Sequence, residues 1–505
     1  MSTVSASSDE GSTKTSSEDT GEIKFSENGK KGKPSRKPAP VSEGSANSGK
    51  TKNSEKGKSV KSSRRSTTAS AHRADTFHVD VHDVKTKLPH NIWYIPSDRD
   101  FVIISIAFKD AGMKNVNRTH PALGYFFSEI MKGCGNLDQY QFLEKIHDCG
   151  ASIDFDVGID DASIEFWAPS DSYKEALALV SGICLKPNLP RKYFELRRDA
   201  AVTEYKEALK DPKTHLLEAV NCAIFPQDHP YRESLKRKGE DIKKVKRDDV
   251  RNFLKMLGQN NATVVVLGPK EMEAEIVHEI EAMLLSFPQQ GAETLGECGT
   301  INIPKEDVHV PFDIPQSMVW GVQYGFPITD PDFYAKSLAF DVVAGCGLDS
   351  IMFKEIREKH GLAYYCYGIV RRTRSYASIL YLVGTRNETR EKVKEETLKL
   401  LGNAAQKGVS ASAFEAAKKA MVGSFIVGFN ASWRFVRFFS CNRIAGRSIE
   451  ESNQQVEKIE KLTLKDVNEA CKKIFGEKVA FVSLGGQVAP ATEGAKGKAT
   501  EKDHV

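Results

Sequence analysis

The 505-residue chain has no run approaching the roughly eighteen consecutive apolar residues that a membrane-spanning helix needs, and its N-terminus lacks the apolar stretch of a secretory leader. As the sequence stands, this predicts a cytoplasmic protein, or a periplasmic one if the true start lies elsewhere. Closely spaced cysteines are missing too. The nine present (134, 149, 184, 222, 298, 346, 366, 441 and 471) never form a Cys-x-x-Cys pair, so neither a disulfide framework nor a zinc ribbon is suggested, and buried reduced thiols are expected. Residues 1–75 have almost nothing with which to build a core: Phe25 is their only aromatic. A Ser, Lys, Gly, Glu and Thr segment of this kind cannot offset the entropy of ordering its backbone, which predicts a disordered tail. The tail carries 15 Lys and Arg against 9 Asp and Glu, a net of +6, so the whole-chain +4 leaves about −2 for the remainder. Without interleaved aromatics or an amphipathic period, its positive charge suggests neither a nucleic-acid partner nor a membrane surface.

One motif in the tail is complete yet misplaced. Gly44-Ser45-Ala46-Asn47-Ser48-Gly49-Lys50-Thr51 matches the phosphate-binding loop. Such a loop works only when a buried strand delivers it and a helix N-terminus follows. Pro38-Ala39-Pro40 precedes it and a Lys, Asn and Ser stretch follows, so no nucleotide site is expected.

From residue 76 the pattern turns globular. Phe77, Val79 and Val81, then Ile92 and Tyr94, alternate as strands around a turn at Leu88-Pro89-His90-Asn91, and Phe101 to Phe108 is a more continuously apolar strand. Helices are predicted over 121–132 and 139–148, strands over 152–167, helices from 172 to 210 and from 214, and a buried strand over 262–267. The order then recurs: strand 317–324, helix 332–344, a helix ending at Lys359, strands from Ala363 and Ala377, helices 389–406 and from 412, and a strand over 479–484. The fold class read from this is α+β with two repeated domains, each a mostly antiparallel sheet covered by helices, at 76–290 and 304–487, with a second polar tail over 488–505.

The segment richest in chemistry runs from Phe353 to Tyr365. Arg357 lies in the last turn of a helix that Gly361 can end in a left-handed conformation, and Tyr364 opens the following strand. A guanidinium and a phenol both donate hydrogen bonds, so together they suit an anion or a developing oxyanion, but neither activates water. By themselves they read more readily as a helix cap and a core aromatic.

Leu88-Pro89-His90-Asn91, Asp228-His229-Pro230-Tyr231, the strand from Asn261 to Gly268, Gly408-Val409-Ser410 before Phe414-Glu415-Ala416-Ala417-Lys418, and above all Ile356-Arg357-Glu358-Lys359-His360-Gly361-Leu362-Ala363-Tyr364 resemble the insulinase/pitrilysin family, in its short two-domain form related to mitochondrial processing peptidase. The resemblance implies the processing-peptidase-like fold. Active members carry His-x-x-Glu-His on an early helix, where the histidines hold Zn²⁺ and the glutamate takes a proton from bound water. Here the matching segment, residues 121–133, has no histidine: depending on register, Gly124, Phe127 and Ser128, or Phe126, Glu129 and Ile130, stand in those places. Glu204 matches the third ligand, but one carboxylate cannot hold catalytic zinc. His120 and His147 lack a partner at i+4, and His229 is expected to be structural. No metal or other cofactor is therefore expected in this chain. Arg357 and Tyr364 match the family's substrate-steadying pair. The resemblance thus implies a non-zinc subunit that donates Arg357 and Tyr364 to a homologous, zinc-bearing partner with intact His-x-x-Glu-His, the pair cleaving unfolded peptides; the chain alone is expected to be inert. The alternative is a catalytically inactive scaffold or peptide-binding member of the same family.

Overall fold

The first sheet joins β1 (His82–Val84), β2 (Ile92–Ser97), β3 (Phe101–Phe108), β4 (Ser152–Val157), β5 (Ala162–Pro169) and β6 (Ala262–Pro269) in the order β1-β2-β6-β3-β5-β4. The second joins β7 (Val308–Pro311), β8 (Gln316–Tyr324), β9 (Tyr365–Arg372), β10 (Ala377–Arg386) and β11 (Ala480–Gly485) in the order β7-β11-β8-β10-β9. Without β1 the two orders coincide, and the single parallel pairing falls in the same place, β2 with β6 and β7 with β11. The repeat in the sequence is thus a repeat of topology, in two mostly antiparallel sheets. The computed structural model describes residues 78–294, 301–429 and 431–486, so the expectations for residues 1–75, including the Gly44 to Thr51 string, and for 488–505 lie outside them.

Among the described residues, ten α-helices reach ten residues or more: α1 (Gln139–Asp148), α2 (Tyr173–Leu185), α3 (Arg191–Ala208), α4 (Pro212–Ile224), α5 (Glu273–Leu285), α6 (Phe333–Ala344), α7 (Arg390–Lys407), α8 (Ala411–Gly428), α9 (Ser432–Ile444) and α10 (Leu464–Phe475). Helix α1 starts where Asp138 accepts from the backbone of Tyr140 and Gln141 while the Gln141 side chain accepts from the Asp138 amide, a reciprocal cap. On one face of the first sheet Val102, Ile104, Ile106 and Phe108 pack under α2 and α5; on the matching face of the second, Ile379, Tyr381 and Val383 pack under α6, α7 and α10.

Three expectations are corrected. The first strand is His82–Val84 and not the stretch around Val79 and Val81; Val79 exchanges two 3.0 Å hydrogen bonds with the Asn453 side chain instead of pairing with a strand. Residues Leu123–Lys132 form a 3₁₀ helix and not an α-helix. Its buried Leu123, Phe126 and Glu129 recur every third residue, which three residues per turn stack on one face. Residues Phe353–Lys359 form a π-helix, in which the His360 amide reaches back five residues to the Glu355 carbonyl at 3.2 Å.

The opposite faces of the two sheets are covered by exchange. Helix α4 precedes the second sheet in sequence, yet it lays Leu216, Val220 and Ile224 against Trp320, Val322, Leu382 and Val482. Helix α9 follows most of the second sheet, yet its Val436 and Phe439 cover Trp93, Ile103, Val265 and Leu267 of the first. At about 1.5–3 kcal/mol per fully buried aliphatic side chain, detaching α4 alone costs on the order of 5–9 kcal/mol. Arg443 fastens α9: its guanidinium lies 4.8 Å from the Trp93 ring and donates to the carbonyls of Val264, at 2.7 Å, and Asn91. Burial brings the Arg443 pKa down to about 10, with Asp83 opposing the shift.

A buried charge cluster closes the same seam. Lys114 is 2% exposed and pairs with Asp110 at 2.6 Å and Asp160 at 3.3 Å. Arg374, from the β9–β10 turn, reaches Asp110 at 3.2 Å and also pairs with Asp161, while its amide donates to Asp160 at 2.8 Å. The Tyr231 hydroxyl donates to Asp160 at 2.6 Å. Asp110 has φ +64, a left-handed conformation uncommon for residues other than glycine. These side chains come from four separated stretches of sequence, so the cluster forms only when both sheets are in place.

Candidate functional site

Residues 353–365 are held from beneath. Ile356 and Leu362 are buried in the second core, the Thr385 hydroxyl donates to the Leu362 carbonyl at 2.5 Å, and the Tyr364 amide donates to the Gly384 carbonyl at 2.8 Å. Gly361 has φ +60 and lets the π-helix close with the Leu362 amide on the Ile356 carbonyl at 3.0 Å. The Tyr365 ring lies directly over Gly384, where a Cβ would come within 2.2 Å of a ring carbon, so Gly384 is required at that register.

On this base the two predicted site residues project outward. Arg357 is exposed, its guanidinium 4.9 Å from the Phe353 ring, and it has no ion pair to another described residue. Tyr364 is 52% exposed, and its hydroxyl has no hydrogen-bond partner among the described residues. No hydrogen bond joins the two. Burial pushes the neighbouring Cys366 thiol up to about 12, with the charge of Arg357 pulling the other way. The cap-and-core reading therefore does not hold for these side chains: each is an uncommitted donor on a backbone anchored by hydrogen bonds and buried neighbours.

The first half presents the opposite situation. In the 3₁₀ segment Gly124 and Ser128 are exposed and Phe127 is half-buried, whereas Phe126, Glu129 and Ile130 face the core. Phe126 stacks on Phe194 at 4.9 Å, and Phe127 lies 4.4 Å from Phe253. A substrate-accessible metal requires the exposed row, and Gly124, Phe127 and Ser128 offer it no ligand. Glu204 is committed elsewhere: Arg197 grips it in a two-pronged bond of 2.6 and 2.7 Å and also donates to the Tyr125 carbonyl. A guanidinium thus ties the 3₁₀ segment to α3 and holds the Glu204 carboxyl below its usual range. His120 pairs with Asp241 at 3.2 Å, and His229 is buried against Phe225 at 4.5 Å while accepting from the Tyr231 amide at 3.3 Å. Among the described residues, no three His, Cys, Asp or Glu side chains are grouped to hold a metal. The residues present do not fit a catalytic zinc.

Arg197 is the functional neighbour that the sequence reading missed. Its signal was available, since residues seven apart on a helix lie two turns above one another. We expect Arg197→Ala to lower stability by about 1–3 kcal/mol, from the stranded Tyr125 carbonyl and lost charged bonds, read as a fall in urea midpoint. Because the folded Glu204 carboxyl is depressed, the bond's contribution is present above the unfolded carboxylate pKa and is lost as pH falls through the folded value. The wild-type–variant difference should shrink along that acid limb; a pH-independent difference would show that the ion pair contributes nothing.

Residues 244–421 match the family described as "Peptidase M16 inactive domain". The chain is 21% identical over 382 residues to a Helicobacter pylori protein named "Non-peptidase homolog YmxG", spanning 73% of this chain and 85% of that one. It is 22% identical over 321 residues to an "uncharacterized zinc protease" of Mycobacterium tuberculosis, spanning 61% of this chain and 71% of that one. The fold matches the crystal structure of a peptidase M16 inactive domain from Pseudomonas fluorescens with a TM-score of 0.73 at 18% identity, over 82% of this chain and 98% of that one. No helix among the described residues is long and apolar enough to cross a membrane.

Proposed function

We propose that this chain, which belongs to the M16 or insulinase family and is a homologue of its peptidases, is the non-zinc subunit of a two-chain peptidase. The partner is a homologous chain with intact His-x-x-Glu-His, and the substrates are unfolded peptides. The carrying observation is the contrast between the two halves. Arg357 and Tyr364 are exposed and make no hydrogen bond or ion pair to a described residue, while the segment that would hold a metal has no ligand in its exposed row and its remaining carboxylate is taken by Arg197. Zinc held by the partner's His-x-x-Glu-His would supply the hydroxide. Arg357 holds a backbone carbonyl or carboxylate of the substrate, and Tyr364 donates to the oxyanion as the scissile carbonyl becomes tetrahedral.

Co-expression with a zinc-bearing homologue tests this reading. The mixed complex should cleave an unstructured peptide and stop on addition of chelator, and the chain alone should be inert. Cleavage by the isolated chain would overturn the division of roles. A second reading, an inactive scaffold that still binds peptides, is favoured by the exposed aromatic and charged groups on the face of the first sheet away from its main core. It predicts a complex whose turnover is indifferent to Arg357 and Tyr364.

A further inference from the structure

Helix α9 covers β3 and β6 of the first sheet but leaves the same face of β5 and β4 open. Ile153, Phe155, Ile164 and Phe166 belong to the main core, so the alternate residues of these strands point to the open face. Cross-strand pairing sets Asp154 opposite Glu165, Ser152 opposite Trp167, and Asp156 opposite Ser163 there. At the seam between β5 and α9 lies a cavity of about 250 Å³, walled by Ile103, Trp167, Glu165, Trp433, Val436 and Arg437. Of the four tryptophans, Trp93 and Trp320 are 7% and 3% exposed, but Trp167 and Trp433, both in this cavity, are 48% and 47% exposed. Glu165 has no hydrogen bond or ion pair to a described residue. Burial pushes its carboxyl pKa up; Arg437 opposes that shift, and Asp154 and Asp156 add to it.

From this arrangement we infer that the slot between α9 and β5 binds a lysine or arginine side chain of an extended peptide. An aliphatic stem matches the apolar walls of Ile103, Val436 and the two indoles, and a cationic head finds the Trp167 ring and Glu165, while Arg434 already lies 5.3 Å from the Trp433 ring centre. Asp154 and Asp156 reinforce the preference. A leucine or phenylalanine fills the apolar part but leaves Glu165 unsatisfied, and an acidic side chain meets three carboxylates. Arg437 lines the slot and Arg434 lies on Trp433, two cations against the three carboxylates of Asp154, Asp156 and Glu165 on this face. The inference rests on the reading that the chain receives peptides, and it adds which side chain is selected and where.

The test uses the full chain and three blocked Gly/Ser dodecapeptides that differ only in a central Lys, norleucine or Glu. Binding is followed by tryptophan emission, which Trp167 and Trp433 report because both are half exposed. The Lys peptide should bind about 10-fold more tightly than the norleucine peptide, as expected for one cation–π contact and one charge-assisted bond, and the advantage should shrink with salt. Glu165→Gln should abolish the advantage with norleucine binding and the urea midpoint unchanged. Equal affinity for Lys and norleucine, a preference that survives Glu165→Gln, or no emission change with any peptide would each overturn the assignment. Failure here is separable from failure of the proposed function, which is read from turnover of the mixed complex and its dependence on Tyr364.

Discussion

Replacing Tyr364 by Phe should lower kcat of the mixed complex by about 10²–10³, the loss seen when one preorganised oxyanion donor is removed. The size follows from position. The Tyr364 hydroxyl is exposed and bonds to no described residue, so in the resting protein it stabilises nothing, and its whole contribution is available to the transition state. For the same reason the urea midpoint and the assembly of the complex, measured by size-exclusion chromatography, should match the wild type. The backbone at this position stays in place because the Tyr364 amide is held by Gly384, a bond that the substitution does not touch. Arg357→Lys should fall between wild type and Arg357→Ala, since an ammonium keeps the charge but loses the planar fork. Turnover equal to wild type in Tyr364→Phe would eliminate the donor role and leave the scaffold reading.

Lys114→Met should destabilise the chain by about 3–5 kcal/mol, the cost of leaving a buried carboxylate without its partner. Lys114 is 2% exposed and its ammonium is 2.6 Å from Asp110, so water cannot take over when the charge is removed. Arg374 still reaches Asp110 at 3.2 Å and Tyr231 still donates to Asp160 at 2.6 Å, which keeps the penalty within that range. Urea unfolding followed by circular dichroism measures the effect. A change below about 1 kcal/mol, the magnitude of an exposed pair, would mean the cluster is hydrated in solution.

Much of the fold was legible because it is written locally. The Phe101–Phe108 strand lies where its nearly continuous apolar run put it, and the Gln139–Asp148 helix has the bounds expected of it. The repeated order of strands and helices in the two halves was equally plain and became the matching sheet orders. The 3₁₀ character of Leu123–Lys132 was not, since periods of 3 and 3.6 diverge by less than one turn over ten residues. The destination of α9 was also hidden: an apolar stripe such as Val436 and Phe439 says that something is buried, never against what. Lys114 reads as a surface residue until Asp160 and Arg374 are brought to it from far along the chain. At the site, residue types and spacing picked out Arg357 and Tyr364, but only packing shows that both side chains are uncommitted. Burial likewise decides which row of the 3₁₀ segment faces outward.

The crossed placement of α4 and α9 also sets a timetable for the newborn chain. The first sheet is complete once Pro269 has emerged from the ribosome, yet the helix that shields Trp93, Ile103 and Val265 begins at Ser432. At typical translation speeds that leaves a greasy surface bare for roughly 10–30 s. A chaperone has its natural window on this protein in that interval, and a transcript truncated before Ser432 should yield aggregate in place of a soluble half.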